Sequence, residues 1–160
     1  MRIRIVLVLA LAGLTCGLMA TPAAAKGPDP CKVFKTSEIA SAFGGTVGAA
    51  KKGLTTPVSA TCSFEVTASA DTPDGTFTVH VMSTGAKAGY AGLSKIASYE
   101  PVPELGKASY SPQTSVVDVL KGDILLGVQG VFIDSSKLPL ASADVKTQLV
   151  ALAKKGMKRV

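Results

Sequence analysis

Apolar and polar positions alternate most strictly in two short stretches of the chain. In Cys62 to Thr67, residues Cys62, Phe64 and Val66 share one side, and Ser63, Glu65 and Thr67 share the other. In Thr76 to Met82, Phe77, Val79 and Val81 oppose Thr76, Thr78 and His80. A period of two marks half-buried strands. Pro73-Asp74-Gly75 between them is turn chemistry, so the pair is predicted to be an antiparallel hairpin. Ser115 to Leu120 and Ile124 to Ile133 are predicted as a second hairpin about Lys121-Gly122-Asp123. Ile124 to Ile133 is apolar on both sides apart from Gln129, the pattern of a central strand covered on each face. Gly127 and Gly130 within it point to a bulge or to close packing against a helix. Weaker strand patterns occupy Thr46 to Ala50 and Ala108 to Tyr110, and Lys51-Lys52-Gly53 reads as a turn.

Helical spacing recurs three times. Thr36 is placed to cap a brief helix over Ser37 to Phe43, with Glu38 in its first turn, Ile39, Ala42 and Phe43 facing inward, and Gly44 as the stop. Ala86 to Ser98 carries Tyr90, Leu93, Ile96 and Ala97 on one side, although Gly89 and Gly92 each weaken it by up to about 1 kcal/mol. Pro101 and Pro103 forbid regular structure after it. The last helix is predicted to be capped by Ser142, with Asp144 in its first turn and Val145, Leu149, Leu152 and Ala153 on its inward stripe. The resulting order, roughly α-β-β-β-α-β-β-β-α, implies an α+β fold: a mostly antiparallel sheet with about three helices packed on it.

The beginning of the chain changes the picture. Arg2 and Arg4, the apolar run Ile5 to Leu14, and Ala23-Ala24-Ala25 form an export signal, so residues 1–25 are expected to be a signal peptide cleaved after Ala25. The remaining 26–160 form one α+β domain with a short extended leader at 26–30. Gly13-Leu14-Thr15-Cys16 departs from a lipoprotein pattern, so secretion is expected rather than a lipid anchor at Cys16. No apolar run in residues 26–160 has the roughly 20 residues a transmembrane helix needs. Outside the cytoplasm, Cys31 and Cys62 are expected to be oxidised to a disulfide. Their spacing lacks the Cys-x-x-Cys arrangement that tunes a redox pair, so the bridge reads as structural.

Removing Arg2 and Arg4 takes the formal charge from +6 to +4, an excess matched by Lys154, Lys155, Lys158 and Arg159. Those four suit the negative end of a helix dipole; contact with an anionic envelope polymer or headgroup is the alternative. Absence of Trp and a single mature Arg weigh against nucleic acid.

Candidate chemistry is sparse. His80, the only histidine, shares a side with Thr76 and Thr78, where a solvated sheet residue is the expected role. No serine lies in a Gly-x-Ser-x-Gly elbow that would complete a triad with it. One histidine beside two bridged cysteines makes no recognisable zinc site. Glu100 and Glu104 flank Pro101-Val102-Pro103 and read as a solvated loop, whereas Asp71 and Asp74 read as turn formers. No catalytic residue, cofactor or metal ligand is therefore assigned.

Several short motifs stand together: Asp29-Pro30-Cys31 before a helix, Cys62-Ser63-Phe64 opening a strand, Val102-Pro103-Glu104-Leu105-Gly106-Lys107-Ala108, and a C-terminal helix rich in Leu, Ala and Lys. In these the chain resembles a family of uncharacterised secreted proteins and lipoproteins of actinobacterial envelopes, a domain of unknown function. That family commonly has x-Trp after the second Cys and Asp after Leu-Gly, where this chain has Phe64 and Lys107. The resemblance implies a Cys31–Cys62 disulfide and an α+β fold, and no activity. The expected role is a secreted, envelope-associated binding or interaction protein rather than an enzyme, with an envelope component, a protein or an apolar small ligand as partner. A small hydrolase would instead show a concave pocket where His80 or Glu100 meets another polar group. A secreted inhibitor, similar to β-lactamase-inhibitor sheet domains, would show an exposed concave sheet face with aromatic or other anchors. An apolar-ligand binder would show a closed apolar cavity between helix and sheet.

Overall fold

The structure is a computed structural model that describes residues 27–67, 74–132 and 142–160. Signal residues 1–25, Cys16, Asp71, Pro73 and Ile133 lie outside the described residues. A single 3-10 turn at Pro30–Lys32 leads into helix α1 (Thr36–Phe43), then strands β1 (Thr46–Val47), β2 (Lys51–Thr55), β3 (Ser59–Thr67) and β4 (Gly75–Met82). Helix α2 (Ala86–Leu93) follows, then β5 (Glu100–Pro101), a 3-10 turn at Pro103–Leu105, β6 (Ala108–Ser111), β7 (Val116–Lys121), β8 (Ile124–Phe132) and helix α3 (Ser142–Gly156). The eight strands form one antiparallel sheet in the order β1-β3-β4-β8-β7-β6-β5, with β2 on the same side of β3 as β1. The α+β class and the order of helices and strands are those the pattern predicts.

Strict alternation decides which face is dry. Cys62, Phe64 and Val66 of β3, Phe77, Val79 and Val81 of β4, Leu126 and Val128 of β8, and Val117 and Val119 of β7 point to one side and are buried there. Helices α1 and α3 cover that face with Ile39, Phe43, Val145, Leu149 and Leu152. Phe77 sits at the centre of an aromatic group, edge-on to Phe34 at 5.5 Å and tilted against Phe43 and Phe64. Two glycines let the layers approach. A Cβ on Gly130 would lie 2.9 Å from the Phe132 ring, and one on Gly156 would lie 2.8 Å from both Leu126 and Phe34. Room for the Phe132 ring two residues along the same strand, with Phe43 of α1 and Leu149 of α3 in ordinary contact, is thus what Gly130 provides.

Four local expectations are corrected. Lys51-Lys52-Gly53 is not a turn but most of edge strand β2; its exposed side chains carry no apolar period, which hid it. Pro101 joins β5, a two-residue pairing with β6 at the sheet's margin, where a missing N–H is tolerated. Helix α2 stops at Leu93 instead of Ser98, just after Gly92, and Ile96 beyond it is exposed. Thr36 is the first helical residue rather than the cap: Lys35 takes that place, and its N–H donates to the Glu38 carboxylate at 3.0 Å. The Lys121–Ile124 hairpin forms as expected about Gly122, whose positive φ (59°) suits glycine.

Both ends of the described chain are fastened. The Cys31–Cys62 disulfide joins the leader to β3, with the two Cα atoms 5.1 Å apart. Lys121 Nζ donates to the carbonyls of Met157 and Val160, closing the C-terminal end beyond α3. Arg159 donates through both guanidinium nitrogens to Glu38 at 2.7 Å and also to the Val33 carbonyl. This fork, with some help from the Lys35 N–H, holds the Glu38 carboxyl at about 2, well below its ordinary 4.5. Because the folded value is the lower one, the stabilisation is complete above pH 4.5 and lost as pH falls towards 2. Partial exposure of both side chains limits it, so Glu38→Gln is expected to cost about 1–2 kcal/mol at pH 7. Urea unfolding at pH 7 and pH 2.5 checks this; an unchanged deficit at the lower pH would contradict it. No helix among the described residues is long and apolar enough to cross a membrane.

Candidate functional site

The second face of the sheet is graded. At one end Met82, Leu125 and Leu120 lie in register, and α2 packs over this apolar margin, with Ala86 buried and Gly89 against the Met82 sulfur. Beyond the helix the same face turns polar. One cross-strand row runs Thr61, His80, Gly127, Asp118, Ser109; the next runs Ser63, Thr78, Gln129, Val116, Ser111. These residues face this way because their neighbours Cys62, Val79, Val128, Val117 and Tyr110 are committed to the core, and the strand period is two.

Gly127 opens a groove of about 260 Å³ between the polar side chains of the two rows. A Cβ here would lie 2.8 Å from Asp118 Oδ1 and 3.6 Å from His80 Nδ1, so the carboxylate and the imidazole face each other across a missing side chain. Asp118 is only 6% exposed, and no donor among the described residues reaches its carboxylate. Burial alone lifts its carboxyl from 3.8 to about 6. His80 is half-buried, and loss of hydration pushes its imidazole below 6.5, so it is neutral at pH 7. On α2, burial first and the Asp118 charge second raise the phenol of Tyr90. Ser109 Oγ is buried beside Asp118 with no hydrogen-bond partner. Gln129 Nε2 donates to the Thr114 carbonyl at 2.9 Å, which leaves its carbonyl oxygen as an acceptor.

The alternation placed His80 correctly on the polar face, but the expectation of a merely solvated role misses its neighbour. The sequence pattern does not single out Asp118. Its signal was one acid in an otherwise apolar Val-Val-Asp-Val-Leu run, opposite a glycine that only the strand register reveals. Glu100 is elsewhere, paired with Lys146, whose Nζ also lies 5.1 Å from the Tyr110 ring centre. Glu104 is exposed in the 3-10 turn, and Asp74 precedes β4.

Chemically the row resembles a triad only in composition. Ser109 and His80 are separated by three strand spacings, about 14 Å at backbone level. An imidazole that far away cannot take a proton from the Ser109 hydroxyl, and no hydrogen bond links His80 to Asp118. No group of three or more His, Cys, Asp or Glu able to hold a metal ion occurs among the described residues. What the groove offers is a set of hydrogen-bond acceptors around one buried acid. Compared with known proteins, the chain matches no family model, no curated protein and no solved structure.

Proposed function

We propose that this is an exported, non-catalytic binding protein of a bacterial envelope, and that the groove over Gly127 is where it takes a small polar ligand. The observation that carries the reading is Asp118, a largely buried carboxyl that no donor among the described residues reaches and that opens onto a groove. A buried acid in this state costs folding free energy, which a structural role would have offset with a partner. Export is supported by the N-terminal signal pattern and by the disulfide. The envelope assignment rests on the family resemblance of the Asp-Pro-Cys and Cys-Ser-Phe motifs.

The groove where His80 faces Asp118 is also the pocket a small hydrolase would show, and the fate of the ligand in the test below decides between the two; the inhibitor and apolar-ligand roles fit less well. Five phenylalanines lie in the sequence, and Phe34, Phe43, Phe64 and Phe77 are all spent in the core, so none of these four is free to anchor an inhibitor's partner on the open face. The close approach of α3 to the sheet at Gly156 and of α1 and α3 at Gly130 leaves no lipid-sized space there. Thermal-shift screening with amino acids, amino sugars, polyols and cell-wall fragments tests the proposal. Hits are expected with the wild-type protein and not with Gly127→Ala, which narrows the groove at the cost of moving only one carboxylate oxygen. Recovery of the hit chemically unchanged is expected; a cleaved product would turn the assignment to a hydrolase.

A further inference from the structure

The polar rows also specify what charge the ligand carries. We infer that the groove takes a positively charged N–H donor, a primary ammonium or guanidinium group, with Asp118 as its counter-ion. This rests on the binding role proposed above and narrows it to one ligand chemistry.

Apart from Val116, every side chain that lines the groove can accept a hydrogen bond. The Asp118 carboxylate accepts only, once ionised; neutral His80 offers one bare ring nitrogen; Gln129 offers its carbonyl oxygen, while one of its two amide N–H groups donates to the Thr114 carbonyl. The Thr78 hydroxyl adds a flexible acceptor on the adjoining row. Among the described residues, no cationic side chain lines the groove. Lys51 pairs with Glu65, Lys52 with Asp29, Lys87 with Asp123, Lys146 with Glu100 and Arg159 with Glu38. Of the strands around the gap, β3 contributes Thr61, β4 Thr78 and His80, β8 Gly127 and Gln129, and β7 Val116 and Asp118.

A carboxylate in this position has two ways to avoid an isolated buried charge: it takes up a proton, or it receives a cation. A neutral hydroxyl ligand satisfies the acceptors but leaves the charge unbalanced, and an anion adds to it. An ammonium or guanidinium group supplies both donors and charge. The groove volume, about 260 Å³, holds such a head and a few carbons, given that a water molecule takes about 30 Å³. The shared chemistry has two sources, a lysine or arginine side chain of a peptide and a free small amine.

The test is an NMR titration of the whole secreted protein with n-butylammonium and with n-butanol, its neutral counterpart. Saturable shifts are expected at the amides of His80, Asp118 and Gly127 with the ammonium, and binding at least about tenfold weaker with the alcohol. The carboxyl titration midpoint of Asp118 is expected to fall by at least about one pH unit when the ammonium is bound, since linkage works in both directions. Asp118→Asn is expected to weaken ammonium binding by about tenfold or more while binding the alcohol as before. Equal binding of alcohol and ammonium, or an unaltered response in Asp118→Asn, would overturn the charge assignment and leave the groove as a neutral binding site. Failure of every probe to shift those amides at millimolar concentration would sink the binding role as well. Nα-acetyl-lysine methylamide and glucosamine separate the sources. The tighter of the two identifies a peptide side chain or a free amine, and neither binding contradicts the inference.

Discussion

Breaking the Cys31–Cys62 bridge is expected to lower the free energy of unfolding by about 3–4 kcal/mol. The two cysteines are 31 residues apart, and a cross-link of that span removes loop-closure entropy of this size from the unfolded chain. The folded state loses something too. Cys62 is fully buried between β2 and β4, and the 3-10 turn carrying Cys31 positions Val33 and Phe34, both core residues. Cys31→Ala with Cys62→Ala avoids burying a new hydroxyl, so it is the cleaner variant. Denaturant unfolding of this protein against the oxidised wild type measures the difference. A loss below about 1 kcal/mol would mean that Phe34 packing and the Arg159–Val33 hydrogen bond hold the leader without help.

Removing the charge at Asp118 is expected to work the other way and stabilise the protein at neutral pH. Its carboxyl is raised from 3.8 to about 6 in the fold, so the folded state binds the proton more tightly than the unfolded one. Stability tied to this group is therefore complete below pH 3.8 and falls as pH rises through 6. Over that interval about 2–3 kcal/mol is at stake, taking 1.36 kcal/mol per pH unit. Asp118→Asn keeps the shape and deletes the titration, so it is expected to gain about 2 kcal/mol over wild type at pH 7 and little at pH 4. Equal pH slopes for the two proteins between pH 4 and pH 6.5 would contradict the burial argument. Glu38 responds in the opposite sense over a lower interval, from 4.5 down to about 2. From these two groups alone, wild-type stability peaks where the intervals meet, between pH 3.8 and pH 4.5.

The parts of the fold that were legible from residues are those whose signal is local. Cys62 to Thr67 and Thr76 to Met82 show their period of two without reference to any partner, and so does the Val145, Leu149, Leu152, Ala153 stripe of α3. Elements shaped by their neighbours were not legible. Lys51 to Thr55 is a strand because β3 offers it an edge, not because its own residues alternate. Glu100 and Pro101 pair only because Ser109 and Tyr110 lie beside them. The candidate site is the extreme case. His80 was visible as a polar-face residue, but its relation to Asp118 passes through Gly127, on a strand that reaches β4 only in the folded sheet. A register linking residues some 40 positions apart leaves no trace in either local pattern.

The place of β8 in the sheet has a consequence for when the protein can fold. It is the last strand in the described sequence and the middle one in space, joining β4 on one side to β7 on the other. Until residues 124–132 are present, the earlier strands are two separate half-sheets, each exposing an unpaired inner edge and neither carrying α3. Such non-local pairing is slow compared with local helix or hairpin formation. A nascent chain that has not yet supplied β8 therefore has no complete native sheet to settle into. The whole sheet forms only after the strand that closes its middle has arrived.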